Sequence, residues 1–102
     1  MSDRDRLLEL VDGATAKRMF GGEGIYAEGV MFAIAMHERL YLKTDDETRP
    51  DFEQLGSAPF TMNQQRKSKT FYELPDEVAA DDAELAAWAH RAVRAANEAK
   101  GR

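Results

Sequence analysis

The stretch from Met19 to Lys43 constrains the fold most, because apolar residues alternate along it with the period of a β-strand. It reads MFGGEGIYAEGVMFAIAMHERLYLK. Its middle part has two apolar faces, formed by Val30, Phe32, Ile34 and Met36 and by Met31, Ala33 and Ala35. Two apolar faces predict a central strand that is covered on both sides.

Two short turns divide this stretch into three successive antiparallel strands. Glu28-Gly29 joins the first strand to the second, and His37-Glu38 joins the second to the third. Gly29 suits a turn position with positive φ, where a side chain is strained. The third strand is expected to have a leucine face and a polar face, formed by Leu40 and Leu42 and by Arg39, Tyr41 and Lys43.

A glycine cluster interrupts the first strand, which starts near Thr15. Gly21, Gly22 and Gly24 occupy three of four consecutive positions, which predicts a bulge or sharp bend. Gly21, Gly22 or both should hold a backbone conformation that alanine resists. A phosphate-binding loop is the sharper alternative, but the chain lacks both the Lys-Ser/Thr ending of a P-loop and the full G-x-G-x-x-G spacing. The bend could also form one wall of a ligand pocket.

Three helices are predicted around the strands. Ser2 caps a first helix over residues 3–12, which Gly13 ends. Thr48 caps a short helix with an apolar face of Phe52 and Leu55, and Gly56 ends it. Asp81 begins a last helix of roughly nineteen residues, about 28 Å long. Its apolar stripe consists of Leu85, Trp88, Ala92, Ala95 or Ala96, and Ala99, widened by Val93, with Trp88 as an anchor in the core.

A second group of strands lies between the last two helices. Pro59–Met62 and Thr70–Leu74 are predicted to form a hairpin, joined by a polar loop over Asn63–Lys69. Arg66, Lys67 and Lys69 give this loop three positive charges. They could contact nucleic acid or an acidic partner, although a solvated surface loop explains them more simply.

The totals exclude several classes of protein. The chain has 102 residues, enough for one domain, which we expect to span residues 1–102. It has no cysteine, so disulfides and thiolate chemistry are excluded. The net charge of −5 argues against a general nucleic-acid binder. The charged N-terminus resembles neither a secretion signal nor a membrane span, so a cytoplasmic location is expected.

The sequence offers little catalytic chemistry. Asp45, Asp46 and Glu47 lack the spacing of an EF-hand and are better explained as helix-entry acids. His37 and His90 have no carboxylate partner fixed by the sequence, and no serine lies in a G-x-S-x-G elbow. We therefore expect no catalytic residue, metal site or cofactor.

Several segments together resemble the TfoX (Sxy) N-terminal domain. They are Arg18-Met19-Phe20-Gly21-Gly22, Gly24-Ile25-Tyr26, Gly29-Val30-Met31-Phe32-Ala33, Arg39-Leu40-Tyr41-Leu42-Lys43, Phe52, Gly56, Pro59-Phe60, Phe71-Tyr72-Glu73-Leu74-Pro75 and Trp88. The resemblance covers nearly the whole chain. It implies an α+β fold of two layers with an antiparallel sheet, similar to secretion chaperones. The implied element order, α-β-β-β-α-β-β-α, agrees with the order predicted from the residues.

The resemblance also implies a role. The regulators that name the family promote competence genes together with the cyclic-AMP receptor protein, and they carry a C-terminal domain. This chain ends before such a domain could start, so a stand-alone member is expected. The family supplies no catalytic residues.

The leading prediction is a non-enzymatic interaction module, an accessory of transcriptional regulation that acts through a protein partner. A homodimer is a further expectation, with weak or no direct DNA binding. The alternatives are a small-ligand-binding or enzymatic domain that uses the glycine bend, and direct DNA binding through the Arg66–Lys69 loop.

Overall fold

The computed structural model describes residues 2–19, 21–63 and 66–100, and in these ranges it has four helices and six strands. The helices are α1 (Asp3–Leu10), α2 (Arg49–Gln54), α3 (Asp76–Ala79) and α4 (Asp82–Lys100). The strands are β1 (Thr15–Met19), β2 (Gly22–Ala27), β3 (Val30–Met36), β4 (Arg39–Lys43), β5 (Pro59–Asn63) and β6 (Arg66–Glu73).

The strands form one antiparallel sheet in the order β1-β2-β3-β4-β6-β5. The predicted α+β class is therefore confirmed. The element order differs from the predicted one in two places. Four strands instead of three precede α2, and the short helix α3 precedes the long helix α4.

The extra strand results from the glycine cluster. Met19 of β1 pairs with Gly22 of β2, so the chain reverses direction between them and forms a hairpin. Gly21 has φ +82°, the positive value expected for at least one of the two glycines. The cluster therefore ends one strand and begins another. It does not bend a single strand, because a residue with positive φ continues a reverse turn more readily than a pleat.

A β-bulge in β3 changes which face of the sheet the later side chains of this strand point to. Ile25 of β2 pairs with Ala33 and Tyr26 pairs with Met31, so Phe32 is the extra residue. Phe32 and Ala33 consequently both contribute to the core, and Ile34 belongs to the opposite face. The prediction that Ile34 shares a face with Val30 and Phe32 is wrong, because one inserted residue reverses every later side chain.

All four helices pack on the same side of the sheet. Each contributes at least one buried side chain to the main core: Leu7 from α1, Phe52 from α2, Val78 from α3 and Leu85 from α4. Leu40 and Leu42 of β4 point into this core, as the alternation predicts. The prediction that β3 is covered on both sides is not met by the described helices, which form one layer on one side of the sheet.

The helix caps follow the sequence in part. The Oγ atom of Ser2 accepts a hydrogen bond from the Asp5 amide at 3.1 Å, as predicted for α1. Thr48 precedes α2 but makes no side-chain capping bond, because its Oγ1 atom accepts from the Asp45 amide. Leu55 is 41% exposed and therefore does not join Phe52 in an apolar face.

Helix α4 has the predicted length of nineteen residues. The Asp81 carboxylate accepts a hydrogen bond from the Ala83 amide at 2.8 Å at the start of the helix. The Trp88 ring packs edge-on against Phe52, with 4.7 Å between ring centroids, and is partly buried at the margin of the core. Ala89 is buried and Ala99 is exposed, so the core-facing stripe is shifted slightly from the predicted one.

The predicted hairpin between Pro59 and Leu74 is present, with β5 antiparallel to β6. The predicted loop over Asn63–Lys69 is wrong, since β5 extends to Asn63 and β6 begins at Arg66. The hydrogen bonds between paired strands join backbone amide and carbonyl groups, so polar side chains do not prevent two strands from pairing. Within the described ranges, no helix has both the length and the apolar character needed to cross a lipid bilayer.

Candidate functional site: the helix-free face of the sheet

The side of the sheet opposite the four described helices carries a group of apolar side chains with charged side chains among them, and we call this side the open face. A second apolar cluster lies there, built only from strand residues, with Ile34, Phe60 and Phe71 buried at its centre. Taken together, the side chains and glycines that define the open face are Lys17, Met19, Gly22, Gly24, Tyr26, Met31, Ile34, Met36, Arg39, Tyr41, Lys43, Phe60, Phe71 and Glu73.

Aromatic contacts hold one half of the open face together. The rings of Tyr41 and Phe60 pack edge-on with 4.9 Å between their centroids. Burial raises the pKa of the Tyr41 hydroxyl, because the ionised form would lose hydration. A contact between β4 and β5, which β6 separates in the sheet, therefore orders this half of the surface.

Glycines and methionines build the other half. Gly22 and Gly24 lie on β2 with no side chains of their own, so neighbouring side chains can approach this part of the strand closely. A Cβ atom added to Gly24 would lie only 2.7 Å from the Met19 sulfur and 2.8 Å from the Met31 sulfur. A Cβ atom on Gly22 would clash with the Ala35 carbonyl oxygen and approach the Met36 side chain. The methionine side chains thus fill the space that the glycines leave open.

The open face also carries positively charged side chains. The Lys17 ammonium lies 5.4 Å from the centre of the Tyr26 ring, and the Lys43 ammonium lies 5.2 Å from the centre of the Phe71 ring. Burial lowers the pKa of Lys43. Arg39 forms an ion pair with Glu73 across the neighbouring strands. Among the described strand residues, the open face carries three cations and one carboxylate.

A cleft of about 920 Å³ lies at one end of the sheet, beside the open face. The start of α1, the turn between β1 and β2 and the turn between β3 and β4 form its walls, with Gly21 and Gly22 among the lining residues. Arg4 crosses the cleft and binds Glu23 through two hydrogen bonds of 2.5 and 2.9 Å. This pair lowers the pKa of Glu23, chiefly through the Arg4 hydrogen bonds, and raises the pKa of Arg4.

A family model and a known protein both match most of this chain. A family model described as the TfoX N-terminal domain matches residues 6–96, which include the sheet and most of α4. The chain belongs to the TfoX N-terminal domain family. It is also similar to the DNA transformation protein TfoX of Haemophilus influenzae, at 32% identity over 74 residues. That match covers 69% of this chain and 34% of the relative, so the chain spans about a third of the relative's length.

In this TfoX N-terminal domain, the predicted basic residues do not lie on a loop. The backbones of Arg66, Lys67 and Lys69 belong to β6, and their side chains lie outside what the structure describes. His37 lies in the turn between β3 and β4, whereas His90 is exposed on α4. The two histidines belong to different parts of the fold.

The acidic run before α2 is a local turn. Asp45 accepts hydrogen bonds from the amides of Glu47 and Thr48, at 3.0 and 2.8 Å. Burial acts to raise the pKa of Asp45, but the hydrogen bonds from Thr48 and Glu47 outweigh it and hold the pKa below its ordinary value. In the part of the chain that the structure describes, no three His, Cys, Asp or Glu residues are grouped to hold a metal ion.

The methionine surface of the TfoX N-terminal domain is not among the features predicted from the sequence. Met31 was assigned to an apolar face of β3, but the bulge decides which residues share that face. The signal was present in part, because glycines at alternate positions 22 and 24 within a strand leave one face of it bare. Only the pairing of β2 between β1 and β3 shows that methionines from both neighbours fill that gap.

Proposed function

We propose that this domain is a non-enzymatic interaction module that acts through a protein partner, as an accessory of transcriptional regulation in the cytoplasm. The observation that carries the proposal is the open face. It is an apolar sheet surface that no described helix covers, and its methionine and tyrosine side chains are partly exposed. A contiguous apolar surface with a polar rim is typical of a protein interaction site.

Two ion pairs in or beside the cleft support a non-enzymatic role. Arg4 is bound to Glu23, and Arg39 is bound to Glu73. Side chains that are held in ion pairs are poor candidates for proton transfer to a bound substrate. The family relationship supports the regulatory part of the proposal, since the similar protein is named for DNA transformation.

An affinity capture experiment tests the proposal. Purified domain would be immobilised and exposed to lysate of its native cell, beside a Met31→Glu variant that places a charge on the open face. His90→Glu is the control, because His90 is exposed on α4, on the helix side. We expect the wild type and the control to retain a common protein that Met31→Glu loses. Equal retention by all three, or no specific retention, would contradict the proposal.

A homodimer through the open face is a narrower form of the same proposal, since closed two-fold dimers are the commonest assemblies. Light scattering at high concentration tests it. A wild-type dimer that Met31→Glu converts to a monomer would support the homodimer. A wild-type monomer would remove the homodimer and leave a different protein as the partner.

A second candidate is a small-ligand site in the cleft beside the glycine turn. Its volume of about 920 Å³ is in the range of small-molecule sites, and Arg18, on its wall, makes no ion pair with any described residue. Ligand-observed NMR with a library of small carboxylates and phosphates tests this candidate. Binding that is lost in Arg18→Ala would support it, and no binding would remove it.

A further inference from the structure

We propose that the glycine–methionine trough of the open face receives the apolar anchor of an acidic peptide segment from the protein partner. The trough consists of Gly22, Gly24, Met19, Met31 and Met36. This inference rests on the proposed function and adds the chemistry of the partner. It assigns the anchor to the trough and the acidic residues to the cations of the open face.

The trough is suited to an anchor because the methionine side chains that fill it can change conformation. Methionine is unbranched and has three rotatable side-chain bonds, so it can adjust to different apolar partners. The sulfur atoms of Met19 and Met31 fill space that exists only because Gly24 lacks a Cβ atom. If these side chains rotate outward, the trough opens without movement of the backbone. An aromatic or long aliphatic side chain could then occupy it.

The charges select an acidic occupant. Lys17, Arg39 and Lys43 belong to the open face, and only Arg39 has a carboxylate partner among the described residues there. The whole chain carries a net charge of −5, so this cationic surface contrasts with the molecule as a whole. Complementary charge steers association and selects partners.

The same charges disfavour two other occupants. A second copy that presented its own open face would bring like charges together, which opposes pairing. Duplex DNA would meet two unpaired described lysines beside an apolar surface, and few phosphate contacts give weak binding at physiological salt. An acidic peptide satisfies both the apolar trough and the cations of the open face.

Two matched peptides and methionine NMR test the proposal. One fluorescein-labelled peptide alternates leucine and phenylalanine with glutamate, and the other has lysine in place of every glutamate. Binding would be followed by fluorescence anisotropy and by the ¹³C-labelled ε-methyl signals of methionine, assigned with single Met→Leu variants. We expect the glutamate peptide to bind and to shift the signals of Met19, Met31 and Met36. The lysine peptide should not bind.

Charge variants separate this surface from the rest of the protein. Lys17→Glu should weaken binding of the glutamate peptide about tenfold, because an attraction becomes a repulsion. Arg94→Glu makes the same charge change on α4, where Arg94 is exposed, and should leave affinity unchanged. Gly24→Ala should also weaken binding, since its Cβ atom would occupy the trough. Circular dichroism would establish that each variant is folded.

Several outcomes would overturn the proposal. They are equal binding of the two peptides, methyl shifts outside these three methionines, or equal effects of Lys17→Glu and Arg94→Glu. Duplex DNA that shifts the same three methyl signals with higher affinity would also overturn it. The proposed function would survive these results if Met31→Glu still lost a captured protein in the lysate experiment. The two hypotheses therefore fail separately.

Discussion

Adjacent glycines in the turn between β1 and β2 are required for different physical reasons. Gly21 has φ +82°, and a Cβ atom there would meet no other atom within 4 Å. Gly22 has no positive φ, but its Cβ atom would clash with the carbonyl oxygen of Ala35. The first glycine relieves backbone strain, whereas the second permits the close approach of β2 and β3.

Alanine substitutions should distinguish these two roles. Gly21→Ala should lower the free energy of unfolding by about 1 kcal/mol through left-handed backbone strain. Gly13→Ala should match it, because Gly13 has φ +74° and equally open surroundings. Gly22→Ala should cost more, about 1–3 kcal/mol, since the sheet must shift. Urea denaturation measures all three, and a Gly22→Ala protein more stable than Gly21→Ala would contradict this assignment.

The ion pair between Arg4 and Glu23 should make the free energy of unfolding depend on pH. Arg4 holds the pKa of Glu23 below its ordinary value through hydrogen bonds. The folded carboxylate therefore stabilises the protein above its unfolded pKa, about 4.3, and this contribution is lost as the pH falls through the lower folded pKa. Solvent around both side chains limits the effect to a few tenths of a kcal/mol up to about 1 kcal/mol.

Urea denaturation of Glu23→Gln at several pH values tests this dependence. We expect the variant to be less stable than the wild type at pH 7, about three units above the ordinary carboxyl pKa. The two proteins should converge as Glu23 becomes protonated. Glu9→Gln, a change at an exposed residue of α1, is the control. A difference between wild type and Glu23→Gln that stays constant down to the acid limit would contradict the interpretation.

Helix α4 illustrates how an element joins the sheet to the other helices. Ala89 is fully buried and Ala92 nearly so, and these small side chains allow close approach to the sheet. Trp88 extends sideways to Phe52 of α2, and the Arg91 guanidinium lies 5.5 Å from the centre of the Trp88 ring. Trp88 therefore joins two helices at the margin of the core.

Replacement of Trp88 should weaken this junction. Trp88→Ala should cost about 3 kcal/mol, the lower end for large aromatic residues, because the ring is only partly buried. Trp88→Phe should cost less, since a ring can still contact Phe52. Circular dichroism during urea denaturation measures both. A loss below about 1 kcal/mol for Trp88→Ala would show that the ring contributes little to the core.

Strand β3 shows what periodicity in an element cannot determine. Val30 and Phe32 face the core as alternation predicts, but Ala33 faces it too and is fully buried. The cause is the bulge opposite Ile25 and Tyr26 of β2. Since both faces of β3 are apolar, the sequence contains no polar residue that would reveal the reversal.

Across the whole molecule, positive and negative side chains are distributed unevenly over the surface. Acidic residues exceed basic ones by five, yet the described side chains of the open face carry more cations than acids. On the helix side, Arg91 is bound to Asp51 at 2.6 Å. The long-range field of the protein therefore repels phosphates, although one surface is locally positive.

This distribution predicts weak binding of duplex DNA. If Arg66, Lys67 and Lys69 all met phosphates, the salt slope would be about −0.9 per contact, or roughly −3 in total. We expect little binding in a titration of labelled duplex at about 0.15 M salt. The double variant Lys67→Glu, Lys69→Glu should then have nearly the same affinity for duplex DNA as the wild type. Nanomolar, sequence-selective binding by the wild type alone would contradict this prediction.

The sequence by itself determined the local features whose causes lie within a few residues. Glu28-Gly29 and His37-Glu38 form the predicted turns, with positive φ at all four positions. Ser2 caps α1, and the Asp81 carboxylate accepts a hydrogen bond from the first turn of the helix that ends at Lys100. The resemblance to the TfoX N-terminal domain, now shown as family membership, also depended on residues close together in sequence.

Only the tertiary structure decided which surfaces were left uncovered. The open face depends on the order β1-β2-β3-β4-β6-β5 and on four helices packing on one side, and neither is encoded in any single segment. The bulge at Phe32 assigns Ile34 to that face. Strand pairing then brings Met19 and Met31 over Gly24 from opposite sides. Periodicity within a segment shows that a residue is apolar, whereas packing between segments decides what it contacts.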